Sequence, residues 1–100
     1  MPADTPSMCY YVKLYITGQT PKSDVAIANI QQIFSGLNLA LDLTVIDILE
    51  HPQLAEENRI LATPTLIKIS PLPVRRIIGD LSDRTKVRLG LGLPASTRLE

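Results

Sequence analysis

The chain of 100 residues carries ten basic and ten acidic side chains, so its formal net charge is zero. Hydrophobic residues make up 45% of it but include one Phe, three Tyr and no Trp, which predicts one small domain with an aliphatic core. The charge balance, without an aromatic RNA-binding motif, argues against nucleic acid, and no apolar run approaches the ~20 residues of a membrane span.

The charges are unevenly distributed along the chain. Residues 1–57 have two basic and seven acidic side chains, a net charge of −5, whereas residues 58–100 have eight and three, a net charge of +5. Such a division favours docking to charged protein surfaces or head-to-tail self-association, and opposite charges that fold next to each other are the simpler alternative. Cys9 is the only cysteine and residues 1–8 lack a signal-peptide layout, so we expect a reducing, cytoplasmic location.

The first half of the chain predicts a strand, a helix and a second strand. Tyr10–Thr17 alternates and is rich in β-branched and aromatic residues, as strands are. Thr20 is expected to cap a helix that has Pro21 at its first position and ends near Gly36. Leu39–Ile48 is apolar enough for a buried strand, which completes a parallel, right-handed βαβ unit. One face of the helix carries Ala26, Ile30, Ile33, Phe34 and Leu37.

A second helix and a third strand are predicted next. Pro52 is expected to start the helix, whose inner side would carry Leu54, Asn58 and Leu61. Thr65–Ser70 then predicts a strand.

The last predicted elements are a strand and a helix. The prolines at 71 and 73 have no N–H to donate, so they interrupt any ladder before an antiparallel strand at Val74–Gly79. Ser82 or Asp80 is expected to cap a last helix over residues 83–91, which Gly92 ends. The resulting order, βαβαββα, is that of an α/β, thioredoxin-like fold.

The local preferences of the second half do not single out that arrangement. Residues 60–66 have no decisive period and fit either an extended helix or a strand, and residues 75–81 fit a helix running to Lys86. Gly90 and Gly92 each weaken the last helix by roughly 1 kcal/mol relative to Ala. Competing preferences of this kind narrow the free-energy gap between alternative folds.

The residues give no support to a redox enzyme or a metalloenzyme. A thioredoxin places Cys-x-x-Cys where its first strand turns into its first helix, but residues 18–22 of this chain are Gly-Gln-Thr-Pro-Lys. Cys9 lies at the other end of that strand, so dithiol exchange is excluded and a half-buried structural thiol is expected. His51 is the only histidine, so one chain offers neither a metal cluster nor a Cys–His pair.

Hydrolytic and nucleotide sites are also unsupported. Glu56 and Glu57 are neighbours that point apart on a helix, as on a solvated face. Asp80 and Asp83 occupy positions where helix caps are expected. Residues 90–92, Gly-Leu-Gly, lack the further glycine and the lysine of a phosphate loop.

Basic residues around the prolines form the best candidate surface: Arg59, Lys68, Arg75 and Arg76. Guanidinium groups suit bidentate contact with the carboxylates of a partner. On a strand, Arg75 and Arg76 point to opposite faces, so at most one of them lines a given face. Ordinary solvated surface charge is the alternative explanation.

Residues 52–81, PQLAEENRILATPTLIKISPLPVRRIIGDL, closely resemble the circadian-clock KaiB family. Within them, Thr63-Pro64-Thr65 precedes a strand as in thioredoxin-like folds, and the arginine pair follows two prolines. The resemblance covers roughly residues 10–93, which implies a single KaiB/thioredoxin-like domain there. Residues 1–9 would be a flexible N-terminus and residues 94–100 a flexible tail, in which Leu99-Glu100 resembles an expression-vector remnant.

The resemblance implies a regulator that is not an enzyme and needs no cofactor or metal. Such a protein binds a KaiC-like ATPase hexamer and modulates its autophosphorylation and dephosphorylation cycle. Its second half would adopt an ααβ arrangement in a self-associated ground state, a homotetramer or dimer, and the thioredoxin-like αββα arrangement in a rare monomer. The implied partner contacts are Lys13, Arg59, Lys68, Arg75 and Arg76. The residues implied in the change of fold are Pro64, Pro71, Pro73, Gly79 and Gly90, with Pro64 expected to be cis in the thioredoxin-like state.

Some positions depart from the family pattern. Val25 and Thr44 stand where clock versions often have basic residues, and Gly92 and Ala95 replace a usual Asp and Tyr. The departures weigh against recruitment of the clock protein KaiA more than against KaiC binding, and they suggest a divergent paralogue. The alternative function is a thioredoxin-like stress or signalling adaptor without a KaiC partner.

Overall fold

The computed structural model describes residues 9–79 and 81–94, which form a four-stranded sheet packed between helices. The predicted order βαβαββα is confirmed, and the second half has the thioredoxin-like αββα arrangement. The expected flexible termini lie outside the described residues, except that Cys9 belongs to the first strand and Pro94 is exposed. The elements are β1 Cys9–Ile16, α1 Pro21–Gly36, β2 Ala40–Asp47, α2 Pro52–Glu57, β3 Thr65–Ser70, β4 Arg75–Ile78 and α3 Arg84–Leu91.

The N-terminal βαβ unit forms as the sequence predicts. Thr20 caps α1 in a capping box, in which its side chain accepts from the Ser23 amide at 3.2 Å and the Ser23 hydroxyl accepts from the Thr20 amide at 2.9 Å. Pro21 occupies the first turn, where its missing N–H leaves no bond unmade. β1 and β2 then pair in parallel over eight residues, from Cys9 with Ala40 to Ile16 with Asp47.

The main core lies between the sheet and the pair α1 and α3. The alternating residues Tyr10, Val12 and Leu14 of β1 face it, and the Tyr10 ring meets Phe34 of α1 edge-on at 5.3 Å between ring centroids. Burying an aliphatic or Phe side chain of this kind stabilises the fold by about 1.5–3 kcal/mol each. The predicted inner face of α1 is confirmed, since it buries Ala26, Ile30, Ile33 and Phe34.

The prediction that β2 is a buried strand is wrong. The strand order is β2-β1-β3-β4, so β2 lies at an edge and pairs with β1 alone. None of its residues is fully buried, and Val45 is exposed. Its apolar composition is explained by Leu41 and Leu43, which pack against the main core from its rim.

α2 is shorter than the sequence suggests. It ends at Glu57, the chain turns at Arg59 with a positive φ of 54°, and Leu61 is 92% exposed, so its predicted place on the inner side of the helix is wrong. Leu54, as predicted, lies on the inner side and packs with Tyr15 and Ile67 in a smaller cluster on the second face of the sheet. Because α2 has only six residues, it covers only part of that face.

The last three elements follow the predicted bounds closely. β3 is antiparallel to both β1 and β4. α3 is capped by Asp83, whose Oδ1 accepts from the Lys86 amide at 3.0 Å, rather than by Ser82, and Asp80 lies outside the described residues. Gly92 ends α3 in the left-handed conformation, as its position predicts. Within residues 9–79 and 81–94, no helix has the length and apolar character needed to cross a membrane.

Candidate partner-binding surface

The register of the sheet separates the basic residues that are predicted to bind a partner. Lys13 pairs with Ile67 and Ile67 with Arg76, so Lys13 and Arg76 share the sheet face that α2 partly covers, about 10 Å apart. Lys68 pairs with Arg75 on the other face. The prediction that Arg75 and Arg76 point to opposite faces is therefore confirmed, and the basic residues do not form one patch.

Lys68 is buried rather than exposed. Its side chain is 2% exposed, and its Nζ lies 5.9 Å from the centroid of the Tyr10 ring, within cation–π distance. Burial, and secondarily the guanidinium group of Arg75, lowers the pKa of Lys68. In this arrangement the ammonium group belongs to the protein interior, so the expectation that Lys68 contacts a partner does not fit it.

Arg75 runs along the same face toward the C-terminal end of α3. Its Nε lies 4.0 Å from the position that a Cβ on Gly92 would occupy. A cation beside the last carbonyl groups of a helix is stabilised by the helix dipole. The side chain is exposed, which leaves it accessible to a partner as well.

Arg76 and Arg59 meet on the α2 side of the sheet. The Arg76 guanidinium donates from Nη1 to the Arg59 carbonyl oxygen at 2.9 Å and from Nη2 to that of Asn58 at 2.7 Å. Arg76 also opposes the rise that burial causes in the pKa of Tyr15, the buried tyrosine of this face. The Arg59 side chain is itself exposed, so two guanidinium groups lie at the exit of α2.

Beyond α2, the same face is open to solvent. Tyr11 is 50% exposed, Ile69 is partly exposed, and both line a shallow depression of about 270 Å³ with Lys13. We call Tyr11, Lys13, Ile69 and Arg76 the open sheet face. It exposes an aromatic ring and apolar surface beside Arg76, and aromatic and Arg side chains are enriched at protein interfaces.

Sequence reasoning missed the apolar part of the open sheet face. The alternation of β1 places Tyr11 and Lys13 opposite the core residues Tyr10 and Val12, and that signal was available. The exposure of Ile69 could not be predicted from the sequence, because it depends on how little of the sheet the six-residue helix α2 covers.

The residues predicted to take part in a change of fold surround β3 and β4. The Thr63–Pro64 bond is cis, as expected for the thioredoxin-like state, and the bonds preceding Pro71 and Pro73 are cis as well. Gly79 has a φ of 129° and its amide donates to the Pro64 carbonyl at 2.9 Å, which ties the end of β4 to the start of β3. Gly90 of α3 faces Ile77 of β4 closely, since a Cβ there would lie 2.8 Å from the Ile77 Cδ1.

The position of a thioredoxin redox site carries helix-capping residues instead. Residues 18–20 lead from β1 into α1, where the Thr20 hydroxyl serves as the cap. Cys9 starts β1 and is partly buried, as predicted for a structural thiol. Within the part of the chain that the structure describes, no group of three metal-binding side chains comes together.

Comparison with known protein families identifies residues 13–93 as a KaiB domain. The chain is 55% identical over 93 residues to the circadian clock oscillator protein KaiB of Synechococcus elongatus, covering 89% of this chain and 88% of the relative. It is 58% identical over 85 residues to the protein of the same name from Prochlorococcus marinus, covering 84% and 79%.

Solved structures show the same fold. The N-terminal domain of Synechococcus elongatus SasA superposes with a TM-score of 0.71 and 25% identity, covering 89% of this chain and 87% of that domain. Mitochondrial thioredoxin 3 from Saccharomyces cerevisiae superposes with a TM-score of 0.64 and 17% identity, covering 83% and 76%, which shows the fold alone.

Proposed function

The chain belongs to the KaiB family, and from that premise we propose that it is a non-enzymatic clock or regulatory protein that binds a KaiC-like ATPase hexamer. Bound there, it modulates the autophosphorylation and dephosphorylation cycle of the ATPase. The observation that carries the proposal is the identity to KaiB clock oscillator proteins, which extends over most of the chain. Cytoplasmic location belongs to the same proposal, and recruitment of KaiA does not.

The open sheet face and the exit of α2 supply the proposed contacts. Lys13, Arg59 and Arg76 present cations toward solvent on this side, where carboxylates of the ATPase would pair with them. Tyr11 and Ile69 supply apolar surface that becomes buried on docking. Arg75 lies on the opposite face, so it contributes only if the partner wraps around the short edge formed by β4.

The described arrangement is proposed as the binding state. It has β3 and β4 in the sheet, and these strands complete the face that carries Lys13 and Arg76. A self-associated ααβ ground state would lack that face. If the binding state is a minor population, the apparent affinity is reduced by its fraction and complex formation is slow.

The test is a binding assay against the KaiC-like ATPase hexamer of the same organism, followed for hours by size-exclusion chromatography. We expect a complex that grows slowly and an altered phosphorylation cycle. Lys13→Ala removes one cation of the open sheet face and should weaken binding about fivefold, as an interface contact worth about 1 kcal/mol does. Lys86→Ala, which removes an exposed cation from α3, is the matched control and should leave binding unchanged.

Variants of Arg75 and Arg76 require a measurement of stability beside the measurement of binding. The double change to Ala should weaken binding further, but Arg76 also bonds two carbonyl groups of this fold. The free energy of unfolding of each variant therefore has to be measured beside its affinity. If no complex forms after a day with an active hexamer and a folded chain, the proposal fails and the adaptor without a KaiC partner takes its place.

A further inference from the structure

We propose that a groove between α1 and α3 is a docking site for acidic segments of a partner protein. The groove has a volume of about 220 Å³, and its lining comprises Gln32, Ile33, Gly36 and Leu37 of the α1 side and Arg84, Thr85 and Arg88 of α3. We call it the α1–α3 groove. α1 and α3 pack on the Tyr10 side of the sheet, so the groove lies on the other side of the molecule from the open sheet face.

Among the described residues that line the α1–α3 groove, Arg84 and Arg88 are the only charged ones. Arg84 and Arg88 are four residues apart on α3 and therefore lie on the same helical face, about one turn from each other. The opposite wall is α1, and residues 25–41 contain no charged side chain at all. The groove thus holds two cations against an uncharged wall.

A neutral side chain already holds one of the two cations in place. The Gln32 Oε1 accepts from Arg84 Nη2 at 2.7 Å. Asp83, the acidic residue next to Arg84 in the chain, is engaged at the helix cap through its bond with the Lys86 amide. An amide oxygen orients a guanidinium group without neutralising it, so Arg84 keeps its full charge for an incoming anion.

The lining selects carboxylates on a protein. Arg84 and Arg88 offer planar forks that bind carboxylates bidentately, and Leu37 supplies apolar surface for the methylene groups of Glu or a neighbouring aliphatic side chain. Single-stranded nucleic acid is disfavoured, since no aromatic side chain lines the groove for base stacking. The site does not depend on KaiC binding and would let the chain hold two proteins at once.

Two peptides test the site, acetylated and amidated Glu-Glu-Leu-Glu-Glu and its Gln-Gln-Leu-Gln-Gln counterpart, titrated into the ¹⁵N-labelled full chain at about 0.15 M ionic strength. The Nε–H resonances of Arg84 and Arg88 and the Gln32 side-chain amide should shift saturably with the Glu peptide only. Arg84→Gln with Arg88→Gln should raise the dissociation constant at least about fivefold, as loss of exposed charge pairs does. Lys86→Gln, on another face of α3, should change it less than about twofold.

A variant with a side chain added at the groove wall tests whether peptide binding needs the groove itself or only the positive charge around it. Gly36 lines the groove and a Cβ added there meets no atom within 4 Å, so Gly36→Gln is sterically tolerated, keeps both arginines and adds a side chain at the groove wall. Gly36→Gln should raise the dissociation constant of the Glu peptide as the arginine variants do. Unchanged binding would overturn the proposal. Equal binding of the Gln peptide, shifts centred on the open sheet face, or tighter binding of a short single-stranded oligonucleotide would overturn it as well.

Discussion

The guanidinium group of Arg76 donates to the carbonyl oxygen of Arg59 at 2.9 Å, across 17 residues of the chain. Its second bond, to the Asn58 carbonyl at 2.7 Å, is to the adjacent residue. Asn58 is the C-cap of α2 and Arg59 follows it, so a side chain of β4 donates to both carbonyl groups of the turn that leaves the helix. β4 therefore holds the exit of α2, where Arg59 has a positive φ. Arg76 is a structural residue of the thioredoxin-like arrangement as well as a candidate contact.

Arg76→Ala should lower the free energy of unfolding by about 1 kcal/mol, because two charge-assisted bonds are lost but both are exposed to water. Arg76→Lys should recover little of the stability that Arg76→Ala loses, since an ammonium group lacks the planar fork that reaches two carbonyl groups. Urea denaturation followed by circular dichroism measures both. Arg75→Ala is the neighbouring control and should stay within about 0.5 kcal/mol of the wild type. Equal losses in the two alanine variants would contradict the role assigned to Arg76.

The buried ammonium group of Lys68 should make stability rise toward alkaline pH. Its pKa in the folded chain lies below the ordinary value of 10.5 that it has when unfolded. Between those two values the unfolded chain binds more protons than the folded one, so the free energy of unfolding rises with pH. Lys68→Met, which keeps the length of the side chain, should be more stable than the wild type at neutral pH and should lose this rise.

The pH experiment compares the two proteins by urea denaturation from about pH 7 to about pH 11, so that the range includes the ordinary pKa of lysine. Their difference isolates Lys68 from groups that both proteins share. Among these is Tyr15, whose raised pKa lowers stability only above its ordinary value of 10.0 and so acts in the opposite direction. A constant difference between wild type and variant across this range would refute a lowered Lys68 pKa.

Local signals were sufficient for most of the fold. β3 has the predicted bounds Thr65–Ser70, and Thr20 and Gly92 delimit their helices as predicted, because capping and turn chemistry act between near neighbours in the chain. The burial of β2 was mispredicted, because it depends on whether a strand lies at the edge of the sheet. No pattern within residues 40–47 records that position.

The candidate surface was predictable only in part. Alternation along a strand is a local property, and it correctly sends Arg75 and Arg76 to opposite faces. The buried Lys68 packs beside Tyr10, which is distant in sequence, and the bonds of Arg76 depend on where α2 ends. The sequence therefore predicted exposed side chains for Lys68, Arg75 and Arg76 alike.

Gly90 and Ile77 should be energetically coupled. Replacing a helix-interior Gly by Ala ordinarily stabilises a helix by about 1 kcal/mol. In this chain the new Cβ would lie 2.8 Å from the Ile77 Cδ1, a terminal methyl group that can rotate away only at some cost. Gly90→Ala should therefore gain less than the full amount, and the gain should increase in an Ile77→Val background, which removes that methyl group. A double-mutant cycle of unfolding free energies measures the coupling, and strict additivity would contradict the close contact.

Substitutions of Gly92 should lower stability through backbone strain rather than through steric crowding. Its φ is 70°, its amide donates into the last turn of α3, and a Cβ there would meet nothing closer than the Arg75 Nε at 4.0 Å. Gly92→Ala should cost about 1–2 kcal/mol because an L residue is strained in the left-handed region, whereas Gly92→Asn should cost less. Urea denaturation tests the order, and a larger loss for Gly92→Asn than for Gly92→Ala would mean that crowding is the cause. Because the strain acts on the end of α3, Gly92→Ala should also slow complex formation with the KaiC-like hexamer more than Gly92→Asn does, if the described arrangement is the one that binds.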